Sequence, residues 1–112
     1  IIKVKLGEDI VNDTARIKAV RAEVGEDVRI RVDANQGWTV NDAVRISKAL
    51  DEFGVDLIEQ PVPAHDFAGL AEIKGRTDLL IAADESCHSI YDAARLAAMR
   101  AVDVVNIKLM KL

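Results

Sequence analysis

Cysteine is almost absent from this sequence: Cys87 is the single one in 112 residues. One cysteine cannot build a disulfide framework within the chain, which predicts a reducing, cytoplasmic setting. No apolar run reaches membrane-spanning length and no secretory-leader pattern opens the sequence, so a membrane protein is not expected. Basic clusters are missing too. The net charge is −4, and lysines and arginines are interleaved with acids, whereas a nucleic-acid surface needs a basic face. No glycine-rich turn of the dinucleotide or P-loop kind follows any apolar run, which argues against a phosphate-binding module. Linkers, low-complexity tracts and shifts of composition are likewise lacking. Residues 1–112 therefore read as one domain, or part of one.

What is present is a repeat of strand and helix signals. Half the residues are apolar. Five β-like runs stand at 2–6, 28–33, 56–60, 79–84 and 103–109. Between the first two, Ile17, Val20 and Val24 recur at helical spacing and Gly25 supplies a stop. Thr39 and Asp42 form a capping-box pattern ahead of the stripe Ala43, Ile46, Leu50 and Phe53, which Gly54 closes. A third, shorter helix is predicted from Asp66 through Phe67, Leu70 and Ile73 to Gly75. Ser89 and Asp92 open a fourth that buries Ala93, Leu96 and Ala97. Such alternation predicts right-handed βαβ units and a parallel sheet.

The strands carry a second signal. Parallel strands covered by helices on both faces read as continuous apolar runs, and these alternate instead. Lys3 and Lys5 oppose Ile2, Val4 and Leu6; Arg29, Arg31 and Asp33 oppose Val28, Ile30 and Val32; Asn106 and Lys108 oppose Val105, Ile107 and Leu109. The apolar parity belongs under the helices. A flat sheet would solvate the charged parity, whereas a closed (β/α) barrel points it inward and gathers it at the strand ends, where barrel active sites are built. Arg29 and Arg31 are then expected as barrel-interior charges paired with acids.

Each run ends on or near a charge: Lys5, Asp33, Glu59, Asp84 and Lys108, at intervals of 28, 26, 25 and 24 residues. Near-even spacing predicts a comparable height around a barrel. Taken singly, an Asp at a strand end is a cap or turn residue and a Lys there is solvated; the case rests on five in register. Three converging carboxylates repel unless a cation neutralises them. Oxygen-only donors suit a hard ion, Mg2+ first and Mn2+ second. His65 and His88 miss the strand ends, which disfavours zinc. Such an ion bound to a substrate carboxylate would stabilise an enediolate and ease removal of the α-proton. A lysine near positive charge has a lowered pKa and can serve as base, and one lysine on each face of the α-carbon is the geometry of an epimerase or racemase.

Five segments carry a family resemblance: Lys3-Val4-Lys5, Val32-Asp33-Ala34-Asn35-Gln36-Gly37-Trp38, Ile58-Glu59-Gln60-Pro61, Ala83-Asp84-Glu85-Ser86, and Asn106-Ile107-Lys108-Leu109-Met110-Lys111. In order and spacing they resemble the catalytic and metal-binding motifs of the muconate-lactonising branch of the enolase superfamily, and most of all its dipeptide (L-Ala-D/L-Glu) epimerases. The resemblance implies catalytic Lys5 and Lys108, metal ligands Asp33, Glu59 and Asp84, and supporting roles for Lys3, Asn35 and Glu85. It implies a Mg2+-dependent isomerase acting on a small carboxylate, a dipeptide. N-acyl amino acid racemase, muconate cycloisomerase and o-succinylbenzoate synthase share these positions, and a non-catalytic barrel fragment is the reading from outside the enzyme class. Trp38 stands between a pocket wall and packing; Cys87, His88 and Lys111 read as ordinary loop or surface residues.

A complete barrel needs about 250 residues. The resemblance implies a partial barrel of about five strands and four helices, running from the second strand to the sixth, with the capping domain and remaining strands absent. Two open sheet edges predict self-association, and the fragment alone is expected to be inactive.

Overall fold

The computed structural model describes residues 1–106 of the chain. Strands and helices alternate throughout: β1 (Ile2–Lys5), α1 (Ile10–Val24), β2 (Ile30–Asp33), α2 (Val40–Glu52), β3 (Val55–Glu59), α3 (Phe67–Lys74), β4 (Leu80–Ala83), α4 (Ile90–Ala98) and β5 (Val104–Val105). The five strands are parallel and lie in sequential order in one sheet. Every connection is therefore a crossover through a helix, as in a (β/α) barrel. The last predicted strand, 103–109, is seen as Val104–Val105, and its remainder lies outside the described residues.

Local chemistry sets the helix ends. Asp9, Thr39, Asp66 and Ser89 are the N-caps, each side chain accepting from the backbone N–H three residues on. This satisfies a donor that has no partner in the first turn. At the fourth helix the return half of the box goes elsewhere: Asp92 accepts from the N–H of His88 at 2.9 Å. Gly25 ends α1 with φ 83° and Gly54 follows α2 with φ 76°, a left-handed region that glycine enters without steric cost.

Val4, Ile30, Val32, Ile58, Ile81 and Ala83 form the sheet's outer face and are buried against Ile17, Ile46, Leu50, Leu70, Ile73 and Leu96 of the helices. Each such fully buried Ile or Leu contributes on the order of 2 kcal/mol by leaving water. The opposite parity lines a concave inner face that includes Lys3, Arg31, Leu57, Glu59, Ala82 and Asn106. At its foot, Arg29 donates to Asp56 at 2.7 Å and Arg31 lies 3.7 Å from the same carboxylate. The pairing with an acid is as expected from strand parity; an interior position for Arg29 is not, since it is exposed at the foot of the sheet. Asp56 can meet both because the β2–β3 register shifts between Ile30 and Arg31.

A further side chain at the foot reaches four carbonyls. Arg21, in the last turn of α1, donates to the carbonyls of Gly25, Val28, Phe53 and Gly54 at 2.7 to 3.3 Å.

Candidate functional site

The β-ladder sets the height of each charge. Lys5 is paired with Asp33, and Asp33 with Glu59, so these three form one row across β1, β2 and β3. Glu59 is paired with Ala82, and Ala82 with Val104. Asp84 and Asn106 therefore stand two residues above that row, not level with it as even spacing suggests. Strands that tilt around a barrel are staggered in register, and equal sequence intervals do not cancel the stagger.

Within the row, the Lys5 ammonium lies 3.2 Å from Asp33 Oδ2. Lys3 reaches across β2 to Glu59 Oε2 at 3.4 Å, and Asn106 Nδ2 donates to Glu59 Oε1 at 3.0 Å. Lys3 thus supports Glu59 from a position two residues before Lys5 on the same face of β1. Asp33 and Glu59 are buried while both lysines are exposed, so each ion pair has a desolvated anionic end and a wet cationic end. Asn35 supports Asp33 through its backbone: its N–H donates to Asp33 Oδ1 at 2.9 Å from a residue held at φ 47°.

The electrostatics are those of crowded carboxylates. The hydrogen bond from Lys5 to Asp33, joined by attraction to Asp33, Glu59 and Glu85 and opposed by desolvation, holds the Lys5 pKa above its ordinary value. This is opposite to the lowering that a lysine base needs, because the charge around Lys5 here is negative. Burial pushes the Glu85 carboxyl up; its own backbone N–H opposes this, and repulsion from Asp84, Asp33 and Glu59 adds to it. Glu85 Oε1 is buried without a hydrogen-bond partner.

Among the described residues, no group of three or more His, Cys, Asp or Glu side chains is arranged to hold a metal ion as it stands. The donor chemistry does fit a hard divalent cation. Asp33, Glu59 and Asp84 offer only oxygen, the two buried carboxylates are already neutralised by positive charge, and Glu85 keeps an orphaned oxygen beside them. Lys108 lies outside the described residues, as does Lys111.

Trp38 is not a pocket wall. It is buried and its indole N–H donates to Asp13 at 2.8 Å. Cys87 packs into the core and His88 is exposed. Three polar residues escape sequence reasoning: Asn106 on Glu59, Asp13 beneath the β1 loop, and Gln60, whose fully buried side chain makes four hydrogen bonds. Gln60 lies in a quoted motif, but nothing in the pattern of the sequence distinguishes a buried amide from a solvated one.

A sequentially wound parallel sheet with its charges at the carboxyl strand ends defines a (β/α)-barrel domain of the kind that carries its chemistry at that face. Comparison with known proteins makes the assignment specific. The chain belongs to the enolase C-terminal domain-like family, whose sequence model matches residues 1–112. It is 46% identical over 110 residues to a hydrophobic dipeptide epimerase from Enterococcus faecalis, covering 98% of this chain and 31% of that protein. It is 42% identical over 113 residues to an L-Ala-D/L-Glu epimerase from Bacillus subtilis, with coverage of 98% and 31%. The crystal structure of the dipeptide epimerase from Enterococcus faecalis, complexed with Mg and L-Leu-L-Tyr, superposes with a TM-score of 0.95 at 47% identity, covering 97% of this chain and 31% of that one. The chain thus spans about a third of the length of the relatives it matches.

Proposed function

We propose that the protein containing this chain is a Mg2+-dependent epimerase that inverts the carbon α to a carboxylate, with a dipeptide as substrate. The observation that carries this reading is the row Lys5–Asp33–Glu59, with Asp84 above it at the end of β4. It sets a lysine beside a run of carboxylates at the chemically active face of a barrel whose relatives include dipeptide epimerases.

In this reading Asp33, Glu59 and Asp84 would hold the ion, with Mn2+ as its substitute. When bound, the ion supplies positive charge that offsets the negative charge developing on the substrate carboxylate. The remaining work belongs to the chain. Lys5 takes or returns the α-proton on one face, and Lys108 does so on the other. Its surplus of carboxylate neighbours keeps Lys5 protonated in the structure described, and added positive charge in the pocket moves its pKa toward that of a base. Lys3 and Asn106 hold Glu59, and the Asn35 backbone N–H holds Asp33, fixing the carboxylates before substrate arrives.

Substrate choice rests with parts of the protein beyond these residues, and the isolated 112 residues are expected to bind Mg2+ weakly and turn nothing over. Leu80 and Val104 on the inner face are 43% and 40% exposed, so water reaches the pocket and weakens its electrostatics. The test uses the full-length protein with Mg2+ and L-Ala-L-Glu or L-Leu-L-Tyr in D2O. Proton NMR should show loss of the α-proton signal together with the opposite epimer, both abolished by EDTA and restored by Mg2+. Neither exchange nor inversion across a panel of dipeptides and N-acyl amino acids would exclude the epimerase reading.

A further inference from the structure

Gln60 follows Glu59 at the end of β3 and is fully buried, with φ 42°. A non-glycine residue in the left-handed region persists only where its surroundings hold it there. The surroundings here are three loops. The side-chain oxygen of Gln60 accepts from the backbone N–H of Asp84 and of Ser86, both at 3.0 Å. Its side-chain nitrogen donates to Ser86 Oγ and to the Val62 carbonyl, both at 2.8 Å. Its main-chain carbonyl accepts from the N–H of Gln36 at 2.8 Å, in the loop that follows Asp33. Ser86 Oγ in turn donates to the Ala64 carbonyl at 2.7 Å.

All four hydrogen-bonding positions of the amide are filled, two on oxygen and two on nitrogen. One residue thus joins the loops after β2, β3 and β4, and those loops follow the three proposed metal ligands. The ladder places Asp84 two residues above the Asp33–Glu59 row, but Asp84 itself lies beyond the paired residues of β4, and the Gln60 oxygen on its N–H ties it to the residue after Glu59.

We infer that Gln60 is a positioning residue for the metal site: it sets Asp84 against Glu59 and Asp33 without touching the ion or the substrate. This inference rests on the metal reading proposed above, and it concerns affinity for the ion, not the proton transfer. Gln60→Met keeps the bulk of the side chain and removes its four side-chain hydrogen bonds, whereas Gln60→Glu keeps an oxygen for the Asp84 and Ser86 N–H groups.

The test uses full-length wild type and both variants. Mn2+ affinity is measured by electron paramagnetic resonance in the absence of substrate. Hydrogen exchange is followed by mass spectrometry over peptides spanning residues 82–88, with peptides from α2 as the control. Gln60→Met should weaken Mn2+ binding at least tenfold, the range seen when groups that orient metal ligands are lost. It should also speed exchange in 82–88 at least tenfold while α2 is unchanged. Gln60→Glu should keep exchange protection in 82–88 and bind Mn2+ more tightly than Gln60→Met.

A folded Gln60→Met with faster exchange but Mn2+ affinity within twofold of wild type overturns the inference while sparing the metal reading. If Gln60→Met does not fold, Gln60→Glu decides: Mn2+ affinity within threefold of wild type with protected 82–88 supports the inference, and loss of protection with unchanged affinity overturns it. A wild type that binds no Mn2+ overturns the metal reading and this inference with it.

Discussion

Trp38 and Asp13 meet in the interior, the indole N–H donating to the carboxylate at 2.8 Å with neither residue appreciably exposed. The same carboxylate accepts from the N–H groups of Gly7 and Glu8, each at 3.1 Å to Oδ2. One buried charge therefore ties the loop after β1, which follows Lys5, to the loop after β2, which follows Asp33. Removing one partner leaves the others to share an under-solvated anion, which costs about 1–3 kcal/mol. Trp38→Phe is expected to lower stability by that amount in urea denaturation, and Asp13→Asn by at least as much, since the amide adds donors where donors already point. A Trp38→Phe change within a few tenths of a kcal/mol would show the bond to be dispensable.

The two loops also approach each other through glycine. A Cβ placed on Gly37 would stand 2.1 Å from the Gly7 carbonyl oxygen, and Gly7 itself has φ 109°. Backbone cannot yield as a flexible side chain can, so Gly37→Ala forces the loops apart. The expected cost is about 1–3 kcal/mol from overpacking. Thermal denaturation of Gly37→Ala beside Gly25→Ala separates crowding from backbone strain, because a Cβ on Gly25 meets nothing within 4 Å.

If Lys5 and Lys108 serve opposite faces of the α-carbon, losing either one stops inversion but leaves exchange on the other face. Lys5→Met and Lys108→Met in the full-length protein should each lose epimerisation by a factor of 1,000 or more, taking general-base and general-acid roles together. Each should still exchange the α-proton of one epimer with deuterium, and the two variants should favour opposite epimers. Equal exchange of both epimers by Lys108→Met would remove the two-base assignment.

Glu85 gives a pH dependence whose sign follows from its raised pKa. The folded state disfavours the ionised form, so the stability associated with protonated Glu85 is complete below its ordinary value of 4.5 and is lost as pH rises through the higher folded value. Metal-free Glu85→Gln should therefore match wild type below about pH 4.5 and exceed it in chemical denaturation near neutrality. A constant difference across that range would mean that Glu85 is not strained by burial and its acidic neighbours.

Much of this arrangement is legible in the sequence because it is local. The alternation of Lys3, Lys5, Arg31 and Asp33 with Val4, Ile30 and Val32 marks which strand face lies under helices, and Thr39, Ser89, Gly25 and Gly54 mark helix ends through contacts a few residues away. What was not legible depends on partners distant in sequence. The height of Asp84 depends on barrel stagger, which no spacing within one strand encodes. Asp13, Gln60 and Arg21 look like solvated loop or surface side chains until the fold surrounds them. Nor does the sequence show that Lys3 crosses β2 to reach Glu59. The raised pKa of Lys5 likewise comes from acids on neighbouring elements, above all Asp33 on β2.

The four-carbonyl clasp of Arg21 lies at the opposite end of the strands from every residue given a chemical role. The guanidinium keeps α1 joined to the end of α2 and the approach to β2 by contacts that share no atom with the loops at the other end. Proteins similar to this chain include a racemase, a synthase and a cycloisomerase, and the clasp secures a part of the scaffold that none of the chemistry proposed for this chain touches.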